Sequence, residues 1–547
     1  MKRNIFFVAL LSLAYGCQKL DLAPQSQISD PTFWKNPEEF KLAANNFYNS
    51  LEQPNIGDNN SDIAFGYSPN PVSNGSYTAP ENSATWTSAY AAIRSCNYLL
   101  EKAEDYGATS EIQRWIAEAR FFRAYNYWLL LRLYGGVPII DKTLDVNDPE
   151  VYTKRSTMEE TVKFILADLE AAAVGLPLKN SLSSADIGRV TKGAAYGIKA
   201  KVALYAGTWD KFHNNSDSEG FLDTAIIAAK KVMESNQYSL FKGKGNQSYR
   251  YLFIEEGNDA SETILDRRIR RDVSESDFGW TAGQGSTVPT KKLADLYLSQ
   301  DGLPISKSPS FQGYSTLTSE FQNRDPRMTM TLTLPGLETV RTQSATTPAP
   351  NYPGVNNNRN TNTGYMLYKF SSEDVTGNTI YGKHNFDWHI LRLAEIYLIY
   401  AEATFEKTGA ISDADLDISI NLLRERVNMP RLTNVFVTAN SLDMRTEIRR
   451  ERSVELAFEN SRYFDLRRWK TAENELPLLI RGVKISGTEW ALRPPYSSGL
   501  FTTDAQGFLV AESAANRRFD ANKHYLQPLP TKEISLYPDI LIQNPNW

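Results

Sequence analysis

The sequence is short of the residues that most protein chemistry needs. Two cysteines in 547 residues cannot build a disulfide framework or a thiolate zinc site. Four histidines, His213, His384, His389 and His524, leave little material for metal binding or proton transfer. Positive charge is not in excess: 59 Lys and Arg face 64 Asp and Glu, a net charge of −5, and no basic block stands out. Nucleic acid is thereby excluded as a partner, since binding it needs a clustered cationic footprint. No apolar run reaches the roughly 20 residues of a membrane-spanning helix. The body's nearest approach is Ala124 to Leu131. Catalytic signatures are missing too, with no Gly-x-Ser-x-Gly elbow and no His-Glu-x-x-His pair. Adjacent carboxylates such as Glu255 and Glu256 are what chance supplies among 64 acidic residues. The expectation is a non-enzyme with no catalytic residues, no metal and no cofactor.

What the chain has in quantity is aromatic surface: 28 Tyr, 25 Phe and 10 Trp. It also has an export signal. Met1-Lys2-Arg3 is a basic start, Ile5 to Gly16 carries no charge, and Ala14 and Gly16 place small residues at −3 and −1 of a cleavage point. Cys17 follows at once, where its thiol can accept a thioether-linked diacylglycerol. Long acyl chains, palmitate among them, anchor at about 0.8 kcal/mol per buried CH₂. An ordinary secretory signal with a mature N-terminal cysteine, or a Cys17–Cys96 disulfide, are the alternatives. The polar stretch to Pro37, with Pro24 and Pro31, reads as a tether.

Helical periodicity dominates the first half. Ser156-Thr-Met-Glu159 reads as a capping box before the stripe Met158, Val162, Ile165, Leu166, Leu169 and Ala173. Val190 to Ala206, stopped at Gly207, and the stripe from Leu222 to Met233 are the next helices. Glu111 to Tyr134 is apolar nearly all round after Phe121 and predicts a buried helix. Helices return from Ile390, over Asp413 to Val427, and over Ser441 to Glu459. Gly243 to Lys383 between them is polar and loop-rich, with weak strands such as Met328 to Leu334 and a low-complexity loop from Arg341 to Thr363. Helix pairs with Ala225/Ala229 spacing and the helix end Tyr205-Ala-Gly207 point to tetratricopeptide-like repeats.

Three motifs have plain structural readings. Asp413-Ala-Asp415-Leu-Asp417 starts like a calcium loop, but Ile418 and Arg424 stand where its glycine and bidentate glutamate belong, so it is a helix N-terminus. Gly188-Arg-Val-Thr-Lys192 has phosphate-loop spacing without the Lys-Ser/Thr ending and reads as a helix start. The run Arg449 to Glu459 reads as a salt-bridge-laced helix, with Arg452–Glu455 and Glu459–Arg462 at i,i+3.

Seven blocks, in order along nearly the whole chain, carry a resemblance. They are Ile116-Ala-Glu-Ala-Arg-Phe-Phe-Arg-Ala-Tyr125 with Leu133-Tyr-Gly-Gly-Val-Pro138, then Gly188-Arg-Val-Thr-Lys-Gly-Ala-Ala-Tyr196, Arg324-Asp-Pro-Arg-Met328 and Leu391-Arg-Leu-Ala-Glu-Ile-Tyr397. Arg450-Glu-Arg-Ser-Val-Glu-Leu-Ala-Phe-Glu459, Arg462-Tyr-Phe-Asp-Leu-Arg-Arg-Trp469 and Gln543-Asn-Pro-Asn-Trp547 complete the series. The chain resembles the SusD/RagB family of surface lipoproteins of Gram-negative bacteria. The resemblance implies a mainly α fold, a superhelix of tetratricopeptide-like helix pairs with an irregular, loop-rich second half. It divides the chain into a signal peptide (1–16), a lipid-anchored tether (17–37), an N-terminal helical region (38–240) and a C-terminal region (241–547). It implies an outer-membrane protein facing the exterior that binds a nutrient glycan, and a TonB-dependent SusC-like transporter as partner. A peptide-binding member of the family and a helix-repeat scaffold are the alternatives. Tyr15 departs from the usual lipobox pattern.

Sugars offer flat C–H faces and hydroxyls, so loop aromatics beside small polar residues are the expected contacts. Asn55 to Glu81 carries Phe65, Tyr67 and Tyr77; Arg267 to Pro289 carries Phe278 and Trp280. Trp86 and Trp115 fall in helical patterns and are expected in the core, and Trp209 is undecided.

Overall fold

Four helices of the first half begin where a short polar side chain satisfies free N–H groups. The structure, a computed structural model, describes residues 33–214, 219–270, 273, 278, 285–336, 362–372 and 385–547. After α1 (Pro37–Asn45), capped by Asn36, Ser83 accepts from the Trp86 N–H and opens α2 (Ala84–Tyr106). The next, α3 (Thr109–Tyr134), is buried on all sides from Phe121 to Leu131, where its two polar side chains are satisfied, Arg123 by Asp168 and Asn126 by the Phe122 carbonyl. Helix α4 (Met158–Gly175) has its capping box one residue later than expected, on Thr157 and Glu160. Ser156 is unavailable because its N–H is bonded to the Val137 carbonyl, and Glu159 pairs with Lys163 on the exposed face.

Thr191 caps α5 (Lys192–Trp209). Gly207 does not end it: a Cβ there would lie 2.8 Å from Leu222, so the glycine permits close packing with α6 (Glu219–Met233). The chain leaves α5 through a π turn over Asp210–Asn214, and Trp209 stacks on His213 at 4.0 Å. Trp209 is therefore core, as are Trp86 and Trp115.

Each helix from α2 to α6 packs on the next, and α6 then packs on α7 (Leu393–Thr408), which arrives from far along the sequence. Trp388–Arg392, expected partly in that helix, is strand β4. The expected helix from Asp413 to Val427 is two short ones, Asp413–Asp417 and Ile420–Arg426, parted where Ser419 bonds back to the Asp415 carbonyl. Ser412 caps the first, which supports the helix-start reading of its aspartates. Asp443 caps α8 (Met444–Glu455), shorter at both ends than expected, and α9 (Arg462–Arg468) follows.

The second half has little regular structure. Among the described residues the strands form three antiparallel two-stranded ribbons: β1 (Ala64–Gly66) with β3 (Thr287–Pro289), β2 (Thr263–Arg267) with β4, and β5 (Ile480–Lys484) with β6 (Phe508–Glu512). Arg327–Thr331 is a short helix, not the expected strand from Met328. Its Leu332 N–H is held by the Met328 carbonyl, and Arg327 is drawn inward by three carboxylates. The low-complexity loop lies outside the described residues up to 361. The architecture is mainly α.

A buried ion network holds the second half together and reaches the first at Asp62. Arg327 bonds Asp325, Glu451 and Glu455; Arg392 bonds Glu262, Glu455 and Glu459; Arg426 bonds Glu262 and Glu455. Arg452 bonds Asp465 and Glu395, and Arg468 grips Glu402 with both terminal nitrogens. The i,i+3 pairs expected on α8 are therefore not made: Glu455 faces three guanidiniums from other elements and Arg462 reaches Asp62. Burial alone would raise the Glu455 carboxyl, but Arg426, Arg392 and Arg327 hold it well below its ordinary value.

Candidate functional site

The two loops singled out for their aromatics are parts of one structure. Strand β1 rises from Asn55–Glu81 and pairs with β3, which ends Arg267–Pro289; Phe65 lies opposite Val288 and Gly66 opposite Thr287. The Thr290 N–H donates to the Ile63 carbonyl at 3.0 Å, and its hydroxyl to the Asp62 carbonyl at 2.7 Å.

The base of this ribbon is fixed by charge. Arg462 donates from Nε and Nη2 to the two oxygens of Asp62, each at 2.8 Å. Burial would raise the Asp62 carboxyl, but that guanidinium holds it below its ordinary value. Asp58, fully buried, accepts the N–H groups of Asn460 and Arg462. Its burial outweighs those bonds and pushes its pKa up to about 7. Farther along, Asn74 donates to Glu512 of β6, and Gly75, at φ 74°, lies so close to the Arg518 carbonyl that a Cβ would clash at 2.1 Å. The loop is thus pinned at several points by the second half.

On this frame the expected ligand residues part company. Tyr67, just past β1, is 51% exposed, and the Asn362 amide donates to its carbonyl at 3.1 Å and to that of Gly66. Tyr77 is half-buried, edge-on to Trp547 at 6.0 Å. Phe65 is a correction: it is 4% exposed, packed with Val288 and Ile480 where the β1–β3 ribbon meets β5. Phe278 is a second correction. At 7% exposed it is wedged edge-on between Phe370 and Trp388, with ring centroids 5.1 and 5.0 Å away. A large ring close to an apolar seam is worth more to the core than to solvent. Trp280 and Cys17 lie outside the described residues.

Sequence reasoning missed a neighbouring ring pair. Tyr314 and Phe508 meet at 5.3 Å and 90°, both half-buried, with Lys484 Nζ 5.4 Å from each centroid. Thr363 connects them to the ribbon, accepting the Val483 N–H while the adjacent Asn362 holds Tyr67. Phe311-Gln-Gly-Tyr314 is an aromatic turn of the same kind as the two chosen loops, and that pattern was the available signal. Among the described residues no group of His, Cys, Asp and Glu is arranged to hold a metal. No described helix is long and apolar enough to cross a membrane. What this surface offers is rings, amides and hydroxyls on a rigid support.

Known proteins of the same build were found by comparison. Residues 237–547 match the family model described as the SusD family, and residues 36–204 match one described as "Starch-binding associating with outer membrane". A SusD-like protein of Bacteroides ovatus is 26% identical over 501 residues, 86% of this chain and 83% of that protein. The starch-binding protein SusD of Bacteroides thetaiotaomicron is 26% identical over 387 residues, 64% of each chain. A SusD-like carbohydrate binding protein of Bacteroides fragilis superposes with a TM-score of 0.77 at 24% identity, over 93% of this chain and all of that one, a likeness of fold. With more than half of its length matched by that model, the chain belongs to the SusD family.

Proposed function

We propose that this chain is an outer-membrane surface lipoprotein, anchored through acylated Cys17, that binds an oligo- or polysaccharide and delivers it to a TonB-dependent SusC-like transporter without cleaving it. The observation that carries the binding reading is Tyr67: a half-exposed ring at the end of a strand that buried ion pairs and hydrogen bonds hold in place. With the backbone beneath it already fixed, only the ring's own rotamers remain to be ordered when a sugar stacks on it. The description of the family model over 36–204 and the carbohydrate ligands named for its relatives support a glycan over a peptide. Trp280, which precedes β3 in the sequence, is the second proposed stacking ring, and Tyr77, on the same loop as Tyr67, is the third.

A glycan array run beside a peptide panel tests the ligand class; peptide hits without glycan hits would overturn the reading. Metabolic labelling with a clickable fatty acid tests the anchor, with label expected on the wild type and absent from Cys17→Ala. Affinity capture from outer membranes, under growth on the bound glycan, is expected to bring down a SusC-like barrel.

A further inference from the structure

Where the chain leaves β2, the β2–β4 ribbon carries two buried acids side by side. Asp266 pairs with His389 and Arg267 with Trp388, so Asp387, two residues before His389, lies diagonally from Asp266 on the same face. Asp266 is 6% exposed and Asp387 3%, and their carboxyls are hydrogen-bonded to each other. Their other partners differ. Asp387 grips the chain beyond β2: its Oδ1 accepts the Ile269 N–H at 2.9 Å, and Arg270 donates to both of its oxygens. Asp266 has no ion pair among the described residues. The cations around it are engaged elsewhere, Arg268 with Asp259, Arg189 with Glu118, Lys179 with the Ala260 and Thr263 carbonyls, and Arg267 with the Leu51 carbonyl. Across the ribbon His389 is neutral, accepting from the Thr263 hydroxyl at Nδ1 and donating from Nε2 to the Leu252 carbonyl.

Two carboxyls bond each other only when one of them holds a proton, because an ionised carboxylate has none to give. Asp387, with an arginine on both oxygens, is the member that stays charged. Asp266 is the member that keeps the proton: burial first, then the Asp387 charge and that of Asp259, push its pKa up to about 7 against the pull of Arg268. When that proton leaves, two buried charges stand at hydrogen-bonding distance without a donor between them, which is costly. Because Asp387 is also the residue that holds Ile269 and Arg270, the repulsion acts directly on that grip.

We propose that Asp266 and Asp387 form a proton-dependent latch, closed on Ile269 and Arg270 while the pair shares one proton and opened when that proton is lost. The proposal stands apart from the glycan reading. The closed latch binds the proton more tightly than the open one, so opening grows as pH rises toward 7 and levels off above it. Hydrogen exchange at the Ile269 amide of the full chain, corrected for the intrinsic rate, reads this directly. Its opening constant is expected to rise about tenfold per pH unit between about pH 5 and 7. Asp266→Asn, whose amide donates to Asp387 at every pH, is expected to change less than about twofold over the same range. Infrared spectra need no Asp266 variant. In Asp58→Asn, which lacks the other acid raised to about 7, a protonated-carboxyl band is expected to disappear between about pH 6 and 8. Absence of that band, an Ile269 opening constant indifferent to pH, or an Asp266→Asn curve that follows the wild type would each overturn the proposal.

Discussion

Single side chains divide here by what backs them. Tyr67 and Phe278 are both loop aromatics in the sequence, yet one is half exposed and the other sits against Phe370 and Trp388. Opposite losses are therefore expected. Tyr67→Ala and Trp280→Ala weaken glycan binding by roughly one to two powers of ten, at about 1.4 kcal/mol per tenfold, and leave the melting curve in place. Phe278→Ala lowers stability by about 3–5 kcal/mol, the usual cost of deleting a packed phenyl ring. Titration calorimetry and thermal melting on the three variants separate the roles; a Tyr67 variant that binds normally would remove that ring from the site. Asp58 offers a test by pH. Its folded pKa of about 7 lies above that of an ordinary carboxyl, so the folded chain holds the proton more tightly than the unfolded one. Stability is then lost as pH rises from about 4 through 7. Asp58→Asn removes this cost, and its advantage over wild type is expected to be near zero at pH 3 and on the order of 2–4 kcal/mol at pH 8. An advantage that stays flat across that range would contradict it.

At the scale of elements, caps were legible and ends were not. The box before α4 was visible as a pattern, but which residue caps it depended on Ser156 being claimed by Val137. Thr157→Ala is expected to cost about 0.5–2 kcal/mol and to raise amide exchange in the first turn of α4. Unchanged protection at Glu160 would argue against the box. Gly207 shows why helix ends mislead: glycine there permits contact with Leu222, and nothing local distinguishes that use from a stop. The β-branched and apolar neighbours of Met328 favour a strand, and long-range ion pairs on Arg327 decide otherwise. Residue 362 belongs to a stretch whose composition marks it only as loop, yet Asn362 holds the carbonyl of Tyr67.

The molecule as a whole is organised by its buried charges. The blocks that carried the resemblance, around Arg327, Arg392, Glu451 to Glu459 and Arg462 to Trp469, converge on one network within the second half, tied to the first at Asp62. Such a network stabilises only when every member is paired, because stripping one partner leaves a desolvated charge. Glu455→Gln would leave Arg327, Arg392 and Arg426 short of their common carboxylate, and an expected loss of about 3–5 kcal/mol follows. Chemical denaturation measures it; a loss under about 1 kcal/mol would mean that Glu262, Glu451 and Glu459 suffice.

The sequence by itself determined the helical class of the first half, the buried character of α3 and the order of the family blocks. Each of these is local: periodicity, capping residues and short motifs act within a few turns of chain. Tertiary structure decided the rest. It placed α7 on α6 across an intervening half, drew the charges of α8 out of their expected i,i+3 pairs into a longer-range ion network, and joined two separate loops into the β1–β3 ribbon. It also buried Phe65 and Phe278 while leaving Tyr67 half open. Whether a ring faces water depends on what arrives from hundreds of residues away, and no spacing along the chain encodes that distance.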